Sequence, residues 1–227
     1  MYFMIKITLN MEKDCYNWWT ASQKSSHGVQ WIKYLPKELR DKLIGTDYKK
    51  AKRLIIPFLE KFYRRGKNGL FKYASELNQF LNSHEDQIIK GIERITEKPI
   101  YRKTFIGYIT TFPKGPYNAK KGEIGFIYKK SLEWQLTAFI HELLHMQFET
   151  YYKKSLDALL TKKQFQYLKE SMTIIINDEF KDIITRPDKG YPIHQKLREK
   201  LEKIWRKRKN FQEFLDRAIE IVKTEKF

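Results

Sequence analysis

The chain has a single cysteine, Cys15. A lone thiol closes no internal disulfide, which excludes the small disulfide-stapled scaffolds and leads us to expect a reducing, cytoplasmic setting. Long apolar runs are missing too. None approaches the ~18 residues that a membrane-spanning helix requires, so no transmembrane segment is expected. The apolar start, Met1 to Asn10, lacks the basic flank and small-residue cleavage pattern of a secretory signal. No internal repeat or low-complexity tract stands out. Acidic residues are scarce, 27 against 45 basic ones, for a net charge of +18.

What is present suffices for a folded core. Over 227 residues, 41% are hydrophobic and 15% aromatic, which excludes disorder and leaves room for one or two domains. The positive balance favours loose contact with nucleic acid or an anionic surface. Its local concentrations are Lys49, Lys50, Lys52 and Arg53, then Lys61, Arg64, Arg65 and Lys67, and most densely Lys196 to Lys209. In that last stretch Leu197, Leu201, Ile204 and Trp205 recur at helical spacing, so the cations read as the wet side of an amphipathic helix. No zinc-finger or RNA-binding signature accompanies them.

Periodicity predicts a mainly helical α+β chain. Residues 2–9 alternate as a strand. Residues 10–35, with Trp18, Trp19 and Trp31 among polar neighbours, give no clear period. Pro36 opens a helix that carries Leu39, Leu43 and Ile44. Residues 47–63 read as a helix with a possible kink at Pro57, punctuated by Gly66 and Gly69. Helices over 70–81 and 85–95 follow, the second with Ser83 as its expected cap. Thr104–Phe112 and Glu123–Tyr128 are β-branched and aromatic, joined by a Pro- and Gly-bearing loop, and read as two strands of a small sheet or hairpin. Residues 132–152 form a helix apolar on most sides, and 162–184 a second long helix. A break at 186–192 and two basic helices complete the chain. A mainly helical region over 1–98 and a second domain over 99–227 are therefore expected.

The apolar helix carries His141-Glu142-Leu143-Leu144-His145, the pattern HExxH. Residues four apart on a helix differ by about 40°, so both imidazoles leave one face and can meet one metal ion. Glu142 lies about 100° from His141, within reach of a water on that metal. Zinc acidifies such a water, and a carboxylate beside it can carry its proton to a leaving amine. With 5 histidines in the chain, chance supplies ~0.01 such matches, and two buried histidines without a shared partner are costly. The expected cofactor is one zinc ion.

A catalytic zinc needs a third protein ligand. Met146-Gln147-Phe148-Glu149 follows His145, so a third histidine on an HxxGxxH continuation is absent. Downstream donors are Glu149, Asp157, Glu170, Asp178, Glu179, Asp182, Asp188 and His194. Glu149 is too much in line with the histidines. Glu170 is preferred, because Leu168, Met172, Ile174, Ile175 and Ile176 mark its stretch as buried, and a buried carboxylate needs a cation or donors. Asp178 and Glu179 come next. Trp134 reads as a core residue.

Two strands, an HExxH helix and a helix with a glutamate 25 residues on resemble the gluzincin branch of zinc metallopeptidases, above all its minimal soluble members, the minigluzincins. The resemblance covers about Thr104 to His194. It implies a zincin-like core with His141, His145 and Glu170 as zinc ligands, and Glu142 as general base. It further implies a peptide or protein substrate paired as an added strand to a sheet edge at Gly122–Tyr128, and a tyrosine or histidine on the oxyanion. Tyr191 and His194 are candidates for that last role, ahead of Tyr151 and Tyr152. Where relatives carry an aspartate four residues after the ligand glutamate, this chain has Ile174, so whatever orients a ligand histidine must come from elsewhere. The helical N-terminal region would cover or regulate the cleft. The alternative from another class is a basic nucleic-acid-associated or regulatory protein with an idle or structural metal site.

Overall fold

In the computed structural model, which describes residues 4–225, the N-terminal alternation becomes strand β1, Met4–Leu9. Residues 2 and 3 of the expected strand lie outside the described residues. The chain is mainly helical with one small mixed sheet, an α+β protein. Packing divides it into a sheet unit, residues 4–83 with 104–135, and a helical unit, residues 84–103 with 136–225. The division does not follow the expected boundary at 98/99. The first 83 residues group instead with the strands at 104–127.

In the sheet unit, α1 spans Met11–Gln23, a stretch with no clear apolar period. Asn10 caps it by accepting from the Lys13 N–H at 3.0 Å. Its inner face carries Asp14 and Asn17 beside Cys15 and Ala21, which hides the apolar stripe. Helix α2, Lys37–Leu43, follows Pro36 as expected. Helix α3 runs unbroken from Tyr48 to Ser83, through Pro57, Gly66 and Gly69. The expected punctuation fails because a buried stripe continues on both sides of it: Ala51, Ile55, Leu59, then Leu70, Ala74, Leu77 and Leu81. Packing of that stripe outweighs the roughly 1 kcal/mol that each exposed glycine costs a helix.

Strand β2, Thr104–Thr110, pairs in parallel with both β1 and β4, Glu123–Ile127, while β3, Tyr117–Asn118, lies antiparallel to β4. The sheet order is β1-β2-β4-β3. Two expectations are corrected here. The segments at 104–112 and 123–128 lie parallel, so they form no hairpin. Nor is Gly122–Tyr128 the sheet edge, because β3 occupies it. The Gly125 N–H donates to the Pro116 carbonyl at 2.7 Å, and the Ile127 carbonyl accepts from the Tyr73 hydroxyl at 3.2 Å and the Gln135 amide at 2.6 Å. With those groups taken, β4 offers no free ladder for an added strand. Trp134, expected in the core, is half-buried, with the Lys130 ammonium 5.2 Å from its ring centre.

In the helical unit, α4 spans Glu85–Thr96. His84, not Ser83, stands at its cap position, and the Ser83 hydroxyl instead donates to the Phe80 carbonyl at 2.8 Å. Helix α5, Leu132–Leu156, has its first four residues in the sheet unit and the rest here. Leu136, Phe139, Ile140, Leu143, Leu144, Met146 and Phe148 are all buried, as its all-round apolar pattern requires. Helix α6, Lys162–Met172, starts at a capping box of Thr161 and Gln164. The expected long helix to residue 184 is interrupted. A 3-10 turn follows at Thr173–Ile175, then a single turn of α7, Ile176–Glu179. The Glu170 carbonyl takes the Thr173 hydroxyl at 3.0 Å and the Arg198 guanidinium at 3.4 Å, side-chain donors that compete with the regular ladder there. After the break, α8 spans Gln195–Trp205 and α9 Phe211–Thr224.

Candidate metal centre

Helix α5 projects His141 and His145 from one face, with ring centres 4.4 Å apart and planes at 77°. Helix α6 brings Glu170 to them. Its carboxylate lies 3.4 Å from Nε2 of His145 and 3.9 Å from Nε2 of His141. One ligand atom from each of the three falls within 4.8 Å of the others. Around a tetrahedral metal bound at 2.0–2.1 Å, neighbouring ligand atoms stand about 3.3 Å apart. The three side chains therefore sit close to the spacing that one small divalent ion requires. Two imidazoles and a carboxylate, all largely buried, are also the donor set that such an ion favours.

Asp188 stands behind His141. Its Oδ1 lies 3.3 Å from Nδ1 of His141, on the ring side away from Glu170. That contact sets the tautomer, leaving Nε2 as the free donor atom. Asp188 is itself gripped. It accepts from the Thr173 hydroxyl at 2.7 Å and the Arg198 guanidinium at 3.0 Å, and its backbone exchanges bonds with the Asn177 amide at 2.7 and 3.0 Å. Arg198, fully buried, also reaches the Thr173 hydroxyl at 2.7 Å and the Asp188 carbonyl at 2.7 Å. Gly190 makes room for it. A Cβ at Gly190 would meet the guanidinium at 2.7 Å, and its φ of +60° suits glycine. By spacing alone Asp188 is only one of several possible ligands, and Arg198 falls among the cations on the wet side of its helix. Both belong to the frame of this site.

The electrostatics follow from this enclosure. Burial drives the His145 imidazole down to about 3, so it is neutral, the form that binds metals. Burial disfavours charge on His141 as well, but Asp188, Glu142 and Glu170 outweigh it and hold the metal-free imidazole at about 9. Burial would raise the Glu170 carboxyl, yet His145, Lys169 and His141 hold it well below the usual range. Asp188 is held low likewise, by His141, Arg198 and Thr173 against its burial. The half-buried Glu142 goes the other way, to about 7. Burial raises it and so do Glu170 and Asp188, with His141 and Lys169 opposing.

The remaining candidates are placed as follows. Glu149 is drawn to the Lys169 ammonium at 3.1 Å, and the same ammonium lies 3.5 Å from Glu170. Glu179 is held between Arg94 at 3.0 Å and Arg208 at 2.8 Å. Asp157 pairs with Lys153, and Asp178 and Asp182 are exposed, so none of these joins the histidines. Tyr191 is half-buried, and burial, Glu142, Glu170 and Asp188 together push its hydroxyl well above its ordinary value, which keeps it a proton donor. His194 is buried edge-on against Tyr167 at 4.7 Å and Tyr191 at 6.2 Å. The Tyr151 hydroxyl donates to the Pro99 carbonyl and that of Tyr152 to the Thr96 carbonyl, both at 2.8 Å, which engages them in backbone contacts.

Comparison with known proteins finds no matching family model, curated protein sequence or solved structure.

Proposed function

We propose that this protein is a zinc-dependent peptidase built on a zincin-like core, with the ligand set of a gluzincin. The observation that carries the reading is the convergence of His141, His145 and Glu170 around one point, with Asp188 orienting His141 from behind. A bound zinc ion would supply Lewis acidity, acidifying a water and polarising a scissile carbonyl. Glu142, next to the ligand His141 on α5, would accept the water's proton and return it to the leaving amine. Tyr191 keeps its hydroxyl proton and donates a hydrogen bond to the oxyanion. His194, with a ring nitrogen within 4.8 Å of a Glu170 carboxylate oxygen, would be the second group able to donate to the oxyanion.

The experiment is elemental analysis of the purified full chain beside Glu170→Ala, together with peptide-library cleavage beside Glu142→Gln. One zinc per chain that falls away in Glu170→Ala, and cleavage that vanishes in Glu142→Gln while zinc stays, are expected. A chain that takes up no zinc when supplied with it sinks the reading.

The alternative, a nucleic-acid-associated protein with an idle site, would draw on the basic tail. There five of the eight cations between Lys196 and Lys209 have carboxylate partners. Lys196 and Lys200 share Glu225, Arg206 pairs with Glu202, Arg208 with Glu179, and Arg198 turns inward to Asp188.

A further inference from the structure

The basic cluster at 61–67 is used differently from the tail. On α3, Phe58, Lys61, Phe62 and Arg65 fall within one sector of the helix and line a cavity of about 340 Å³. Tyr128 and Lys129, just after the C-terminal end of β4, close its other side. Three rings and three cations thus face one space, and no carboxylate lines it. Neither Lys61 nor Arg65 has an ion-pair partner among the described residues. Phe58 and Phe62 remain 39% and 41% exposed, although large aromatic side chains are usually covered.

The site is shaped rather than incidental. Tyr128 is fixed by edge-on contacts with Phe62 at 5.8 Å and Tyr73 at 5.4 Å. Its hydroxyl fits against Gly69, where a Cβ would come within 3.0 Å of it. Lys129 adopts φ +65°, a left-handed conformation that lysine rarely takes, and its ammonium lies 5.5 Å from the Tyr128 ring centre. Gly66 has no steric reason to be glycine, since a Cβ there would meet nothing within 4 Å. Gly66 lines the cavity and contributes no side chain to fill it.

We infer that this cavity binds a nucleotide unit, with its base against Phe58, Phe62 and Tyr128 and its phosphate held by Lys61, Arg65 and Lys129. Exposed ring surface accepts any base by stacking, and clustered cations with a guanidinium fork suit phosphate oxygens. An acidic peptide side chain brings one charge and no ring, and so leaves half of the cavity without a partner. The unit can come from a free mononucleotide or from a single strand.

The test is fluorescence anisotropy of a labelled oligothymidylate of about 12 nucleotides on the full chain at physiological salt, with AMP as unlabelled competitor. The Lys61→Glu and Arg65→Glu pair and, separately, Phe62→Ala are each expected to weaken binding about tenfold or more. The charge-matched control, Lys203→Glu with Lys207→Glu, should weaken it less than about threefold. All five positions are exposed, so these variants should retain the fold, which thermal melts can check. Displacement by AMP assigns the site to free nucleotides, and oligomer binding that AMP leaves intact assigns it to strands. Equal losses in the two charge-reversed pairs, a Phe62→Ala chain that binds as the wild type does, or binding of an aspartate-rich peptide but no oligomer would each overturn the proposal.

Discussion

Each unit of this protein encloses an aspartate, Asp14 fully and Asp188 for the most part, and the two are handled in opposite ways. Asp14, in the sheet unit, is surrounded by neutral donors. The Thr110 hydroxyl donates at 2.7 Å, the Thr111 N–H at 3.0 Å, the Thr111 hydroxyl at 2.7 Å and the Tyr63 hydroxyl at 3.3 Å. Burial outweighs these bonds and raises its carboxyl above the ordinary range. Asp188, in the helical unit, has Arg198 and His141 beside it and is held far below that range. The first arrangement fastens α1 to the end of β2 and needs only a polar acceptor. The second maintains a charge and points it at a histidine. A carboxylate flanked by cations stays ionised, whereas one caged by hydroxyls and buried has its charged form disfavoured.

The contrast is open to direct attack. Asp188→Ala should do the most damage. It leaves the buried Arg198 without its counter-charge, at a cost of about 3–5 kcal/mol, and releases His141, which should weaken zinc binding about 10- to 100-fold. Denaturant titration and chelator competition read the two effects separately. Asp14→Ala should cost about 1–3 kcal/mol by leaving donors unpaired, with zinc affinity unchanged. A fall in zinc affinity there would erase the distinction between the two aspartates. Gly190→Ala should be milder, about 1–2 kcal/mol from a strained left-handed alanine and a displaced Arg198, again visible as weaker zinc binding.

The smallest effect is one of pH. The folded-state pKa of Asp14 is raised, so its contribution to stability is fully present below its unfolded pKa and is lost as pH rises through the folded one. The melting-temperature advantage of wild type over Asp14→Asn should therefore shrink as pH climbs from about 4, the ordinary aspartate value. An advantage that grew instead would mean that Asp14 behaves as Asp188 does.

Much of the site was legible before folding because it depends on local spacing. Two histidines four apart on an apolar helix face one way whatever surrounds them, and Glu170 declared itself as a charge in an apolar stretch. The strand segments were readable for the same reason, but their parallel pairing was not, because register and direction are settled between strands. Helix α1 was hidden by the polar residues it buries, and the break after Met172 by side chains that reach it from residue 198. Arg198 itself was readable in principle. At about 100° per residue it lies only about 20° from Trp205 around α8, on the face that turned out to be inner. The assumption that cations face water displaced the periodicity.

Arg198 also gives the candidate metal centre a place in time. His141, His145 and Glu170 emerge from the ribosome before the residue that bonds the Glu170 carbonyl and secures Asp188 behind His141. A nascent chain that has reached Glu170 holds all three donors without the part that locks them in place. The site is thus finished from its C-terminal side.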